Sequence, residues 1–232
     1  MKATITALLL LTGLTAFAQL DDDFEYVSEF TWGVNKNTNS GLIGGAAFKL
    51  GRLLDDNVYQ YFSLDLLNVK HPLEEKYFSP SGTSFIWGKQ NSFYTIRMGY
   101  GREHLWFKKA PQQGVQISTI FGGGPSIGLI APYYINYSNG YVQFDPKVHQ
   151  FDGNIQGSGK FIRAIGESDI ALGVNAKAGL SFEFGPFKNN VAGVETGFAT
   201  ELFTKEIVII PTAKNTAWFN SIYITLYWGT RR

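Results

Sequence analysis

The stretch Ile170-Ala171-Leu172-Gly173-Val174-Asn175-Ala176-Lys177-Ala178-Gly179-Leu180-Ser181-Phe182-Glu183-Phe184-Gly185 decides the fold. Its even positions, from Ile170 to Phe184, are all apolar. Its odd positions are small or polar after Ala171, and include Lys177 and Glu183. A strict period of two is the pattern of a β-strand with two unlike faces. The run is longer than the usual ~5–6 residues of a soluble sheet. It suits a strand that crosses a bilayer, which needs about 9–11 residues in the hydrocarbon and commonly extends beyond it.

The pattern recurs in seven further segments. Phe24, Tyr26, Phe30 and Trp32 alternate with Glu25, Val27, Glu29 and Thr31. Leu42 to Leu50, Phe62 to Leu66, Tyr94 to Tyr100 and Val115 to Phe121 behave alike, as do Ala192 to Phe198 and Ile222 to Trp228. The sequence therefore predicts eight antiparallel strands, with ten as the alternative if Val142-Gln143-Phe144 adds to the sheet. An even count closes an up-and-down barrel without edges.

The joins alternate as well. Those at 35–40, 70–91, 132–168 and 204–217 include long, polar segments, while those at 51–57, 108–114 and 186–190 are short and rich in Gly, Pro and Asn. Long connections at one end and tight turns at the other are the habit of outer-membrane barrels. The longest connection carries Tyr133, Tyr134, Tyr137, Tyr141, Phe144 and Phe151. It reads equally well as a binding surface or as a packed cap.

In a water-soluble barrel the apolar parity points inward, and in a membrane barrel it points outward. The polar parity here holds Glu29, Lys49, Asp65, Arg97, Lys177, Glu183, Glu195 and Glu201 among Gly, Ser and Thr. Such a mixture suits the narrow interior of an eight-stranded barrel, filled by ion pairs rather than by a pore. Aromatics fall near strand ends, as interfacial girdles require. Tyr26, Tyr100, Phe184 and Trp228 are expected near the short-turn end, and Trp32, Tyr94 and Trp218 near the long-loop end. The rival is a secreted lipocalin-like barrel or sandwich with these aromatics in its core.

Outward from the strands, residues 1–18 read as a cleavable signal peptide. Lys2 precedes an apolar run that ends in Ala16-Phe17-Ala18, which places cleavage before Gln19. Residues 19–232 then form the barrel, expected in the outer membrane. The net charge of +1 gives no broad basic surface, so no nucleic-acid partner is expected. There is no cysteine, which excludes disulfides, thiol catalysis and cysteine-held metal. The chain is 17% charged and 16% aromatic, with 26 glycines, and the alternation allots the aromatics to interfaces and the glycines to turns and a crowded interior.

On Lys177 to Gly185 and the closing segment Tyr223-Ile224-Thr225-Leu226-Tyr227-Trp228, the chain resembles the small Gram-negative "outer membrane protein beta-barrel" families, including PorT-like secretion-associated barrels. The resemblance implies an outer-membrane β-barrel, lipid contact, insertion by the barrel-assembly machinery and an envelope protein as partner. The aromatic signal of the closing strand would be Trp228, although Gly229-Thr230-Arg231-Arg232 follows it.

Catalytic patterns are sparse. His149 with Asp145, Asp152 and Ser158 is a candidate set for a lipid-modifying enzyme, on the logic of nucleophile, base and orienting carboxylate. His71, His104 and His149 are too scattered for a metal site. No metal or cofactor is expected, and the leading expectation is a structural or binding role through the long loops.

Overall fold

The computed structural model describes residues 27–232 apart from 81, 109–113, 139, 146–147, 150–153, 160 and 185–188. The expected cleavage site at Ala16, Ala18 and Gln19, the aromatic Tyr26 and the carboxylate of Asp152 lie outside these residues.

Eight strands close a barrel. They are β1 (Ser28–Asn37), β2 (Gly45–Asp55), β3 (Val58–Val69), β6 (Asn91–Phe107), β7 (Val115–Pro132), β11 (Asp169–Phe184), β12 (Asn190–Ile207) and β13 (Thr216–Arg231). Sequence neighbours pair antiparallel throughout, and β1 pairs with β13 to complete the ring. Asn57 turns the β2–β3 hairpin at φ 62°, a left-handed conformation that Asn tolerates better than most side chains.

The parity of each strand decides what faces where. Leu172 and Val174 are each 60% exposed on the barrel's outside, whereas Ser181 and Glu183 of the same strand are buried inside. β13 repeats this, with Ile222, Ile224, Leu226 and Trp228 out and Ser221, Tyr223, Thr225 and Tyr227 in. The apolar faces therefore point away from the barrel, the reverse of a lipocalin. Polar side chains bound this apolar band. Arg52, Gln60 and Arg102 form one register row towards the short turns, and Asn68 and Asn220 mark the other end. From Gln60 to Asn68 the strand climbs about 26 Å at ~3.3 Å per residue. A tilt of about 35–45° reduces this to roughly 20 Å, near the ~25 Å apolar band of an outer-membrane barrel.

Two expectations need correction. Leu42 and Ile43 were expected to open the second strand, but β2 starts at Gly45 and both side chains project from the β1–β2 loop, Leu42 at 90% exposure. Their alternation ends at Gly44, whose amide bonds back to Asn35 O at 2.7 Å and closes the loop. Val142 does lie in a strand, but not in the barrel. β9 (Gly140–Gln143) joins β8 (Tyr134–Tyr137) and β10 (Ile155–Ser158) in a separate three-stranded sheet. That sheet, the hairpin of β4 (Lys76–Phe78) and β5 (Ser84–Ile86), and the short helix α1 (Phe161–Gly166) lie in the long connections. Phe85, Ile135, Phe144 and Ile155 form its buried core, with Tyr77, Trp87, Tyr133 and Tyr137 packed around them. The aromatic connection thus folds as a cap, leaving Tyr141 exposed.

Candidate functional site

The interior is built from the inward parity of all eight strands. Nearest the short turns, Arg231 Nη2 reaches Glu29 at 2.8 Å and also pairs with Glu183. Lys49 Nζ binds Glu103 at 2.8 Å, and the Ser118 hydroxyl donates to the same carboxylate. Lys177 lies 3.3 Å from Glu195, which also accepts from the Tyr223 hydroxyl at 2.8 Å. Arg97 Nη2 binds Glu201 at 2.6 Å, and Ser126 donates to the other oxygen at 3.1 Å. Asp65 is buried beside Arg97 and Lys177 on a void of about 20 Å³. That is space for a water molecule, not a conduit.

These side chains bring together Glu29, Lys49, Asp65, Arg97, Lys177, Glu183, Glu195 and Glu201. Glu103 and Arg231 complete the network and were not singled out from the sequence, although each shares the inward parity of its strand. Three tyrosines that the alternation also puts on the inward parity were likewise not singled out. Tyr61, Tyr223 and Tyr227 point inward and lie under the lysines, with Lys49 Nζ 5.6 Å from the Tyr227 ring centroid and Lys177 Nζ 5.5 Å from that of Tyr61. Their rings fit because glycines face them. A Cβ on Gly179 would stand 2.8 Å from the Tyr223 hydroxyl, and one on Gly101 2.6 Å from Cζ of Tyr61. Towards the long loops the filling turns apolar. Phe93 packs on Phe203 at 5.2 Å and on Phe219 at 5.5 Å, among Val69, Ala171, Ile207 and Ile209.

On the outside, Tyr100, Phe184 and Trp218 are exposed and Tyr94 half-buried. Trp32 departs from its expected height. It faces Trp228 across the β1–β13 seam, with ring centroids 5.6 Å apart, so both indoles belong to one end of the barrel. The cause is strand length, since β1 runs on to Asn37 and carries Val34 and Lys36 beyond Trp32. Trp106 and Phe107 add exposed aromatics near the short turns.

His149 sits in the cap, where the Asp145 amide donates to Nδ1 at 3.0 Å and Tyr137 meets the ring edge-on at 4.8 Å. It thus meets backbone and aromatic groups, and no hydrogen bond joins it to Ser158 among the described residues. Nor do those residues hold a cluster of three or more His, Asp or Glu arranged for a metal.

The fold and its polarity define a small barrel of the outer-membrane type, apolar outside and ionic within. No family model and no curated protein sequence matches the chain, so the PorT-like resemblance gains no support from that side. Among solved structures, the chain is similar to Neisserial surface protein A at 12% identity over 88% of this chain and 94% of that one, with a TM-score of 0.36. It is also similar to the attachment invasion locus protein of Yersinia pestis, at 13% identity over 90% and 99% of the two chains and a TM-score of 0.42. The N-terminal β-barrel domain of Pseudomonas aeruginosa OprF matches at 9% identity over 89% and 98%, with a TM-score of 0.39.

Proposed function

We propose that the chain spans the bacterial outer membrane as a closed, non-conducting barrel and works through its long-loop end as a binding platform. The observation that carries this reading is the reversed polarity. A continuous belt of Leu, Ile, Val and Phe side chains faces outward around an interior of ion pairs. In water that belt would cost about 25 cal/mol per Å² of apolar surface, a penalty that lipid removes. The interior argues against passive transport, because ion pairs and the Phe93–Phe203–Phe219 cluster occupy it and the void beside Asp65 is only about 20 Å³. The binding role is supported by the cap. Its ordered sheets and apolar core exceed what joining strands requires, and Leu42, Ile43, Phe78 and Val148 stay exposed at that end.

The test is fractionation with heat-modifiability. The protein should be recovered with outer-membrane lipid and migrate faster unboiled than boiled. Recovery in the soluble periplasmic fraction with a single mobility overturns the proposal. Planar-bilayer recordings should show no conductance steps.

A further inference from the structure

We propose that a crevice among three of the long-end loops binds the phosphorylated sugar of an anionic saccharide or glycolipid headgroup. The crevice holds about 250 Å³, at the small end for ligand pockets and suited to one sugar ring rather than a long glycan. It lies between the β1–β2 loop, the segment after β3 and the β12–β13 loop, with Lys70, Lys214 and Trp218 in its lining.

Three features make it a formed site. First, its rim is braced across loops. The Lys70 amide donates to Asn39 O at 2.7 Å, and Asn39 Nδ2 donates to Asn220 O at 2.8 Å. His71 accepts from the Leu73 amide at Nδ1, so Nε2 carries the proton and donates to Lys214 O at 3.2 Å. The histidine thereby braces two loops.

Second, the charge is uncompensated. No carboxylate lines the crevice, and among the described residues neither Lys70 nor Lys214 has an ion-pair partner. The nearby Glu74 is committed through Oε1 to Lys89 at 2.8 Å and to the His71 amide at 3.3 Å. Lys70 Nζ rests against Gly41 of the β1–β2 loop, whose carbonyl accepts from Lys36, a cation outside the lining. Lysine ammoniums without a carboxylate partner are the chemistry of phosphate capture.

Third, the crevice has apolar surfaces for a sugar face. Ile207 and Ile209 are buried in its floor, so the apolar surface comes from Phe219 and from the Trp218 indole, which is fixed by donation from Nε1 to Thr200 Oγ1 at 2.7 Å. Trp218 is 61% exposed on the barrel's outside. A headgroup anchored in the adjoining lipid therefore reaches the crevice without leaving the bilayer surface. That lipid-borne source rests on the membrane-spanning reading, whereas the pocket chemistry does not.

The experiment measures binding by the full-length mature barrel in phosphatidylcholine nanodiscs. One arm titrates soluble glucose 6-phosphate, and the other incorporates a phosphorylated glucosamine glycolipid. Unphosphorylated glucose and inorganic phosphate serve as comparisons. The phosphosugar should bind in at least one arm, more tightly than either comparison and more weakly at high salt. Binding in the glycolipid arm alone assigns a lipid source, and equal binding in both assigns a soluble one. Lys70→Gln and Lys214→Gln should each weaken binding about tenfold, the loss of one charge-assisted hydrogen bond, while Lys76→Gln leaves it unchanged. Heat-modifiability of every variant is checked in parallel. Absence of binding in both arms, or equal binding by the lysine variants, with the heat shift intact, overturns the crevice and leaves the barrel reading standing. Loss of the heat shift in the wild-type protein overturns the barrel reading instead.

Discussion

Arg97 and Glu201 meet at 2.6 Å across the barrel interior, from strands that are not neighbours in the sheet. Glu201 is 1% exposed and its second oxygen is taken by Ser126, so the pair is a strut fixed at both ends. Removing one partner leaves a buried charge unpaired, which costs about 3–5 kcal/mol, while replacing both with apolar side chains is often neutral or stabilising. Arg97→Met alone should lower the urea midpoint of the detergent-folded protein by that scale. Arg97→Met with Glu201→Met should recover most of the loss.

Asp65 predicts the opposite sign. Six buried carboxylates, namely Glu29, Asp65, Glu103, Glu183, Glu195 and Glu201, face the four cations Lys49, Arg97, Lys177 and Arg231. Asp65 has neither a hydrogen bond nor an ion pair among the described residues. An uncompensated buried carboxylate is a liability. Asp65→Asn keeps the volume and removes the charge, so its urea midpoint should equal or exceed that of the wild type. A loss as large as that of Glu201→Gln would show instead that water carries a full ion pair to Lys177.

Tyr61 separates ring from hydroxyl. The hydroxyl is buried without a partner, while the ring fills the space above Gly101 and Gly122. Tyr61→Phe should therefore leave thermal stability unchanged or raise it. A Cβ on Gly122 would lie 3.0 Å from Tyr61 Cζ and closer still to its oxygen. Gly122→Ala should cost about 1–3 kcal/mol by overpacking, and Tyr61→Ala in the same chain should return part of that loss.

The tyrosines also show how far the sequence could be read. Period two is dictated by the pleat, so the strands and their inward charges were legible in the order of the residues. Tyr61, Tyr223 and Tyr227 share the inward parity, yet an aromatic ring suits a lipid interface as well as a crowded interior. What places them inside is the run of glycines on facing strands, a relation between distant segments. The cap was illegible for a similar reason. Its strands have three or four residues each and are stabilised by Phe85 meeting Ile135, Phe144 and Ile155 across the long connections. Over so few residues no periodicity develops.

The seam gives a fourth prediction. Trp32 and Trp228 pack with their rings tilted at 39° where the first strand meets the last. Aromatic pairs in such arrangements contribute about 0.5–1.5 kcal/mol beyond the area they bury. A double-mutant cycle with Trp32→Ala and Trp228→Ala, measured by unfolding from lipid vesicles, should return a coupling of that size. Trp32 and Trp218 should show none, although a strict two-girdle reading of the sequence would have grouped them.

Lys89 sets the last test, in the cap. Its ammonium is buried against the Tyr133 ring at 5.7 Å and bound to Glu74, both side chains being about 5% exposed. Burial pulls its pKa below the ordinary lysine value of 10.5, with Glu74 offsetting only part of the effect. A lysine whose pKa falls on folding binds fewer protons folded than unfolded, so cap stability should rise as the pH climbs towards 10.5 and level off above it. Thermal unfolding at pH 8 and pH 10 should show that rise in the wild type and not in Lys89→Met. At pH 8 the same substitution should also weaken the cap, because Glu74 Oε2 already lacks a hydrogen bond and Oε1 would lose its cation. Adding Glu74→Gln removes the stranded charge and should restore stability without restoring the pH dependence.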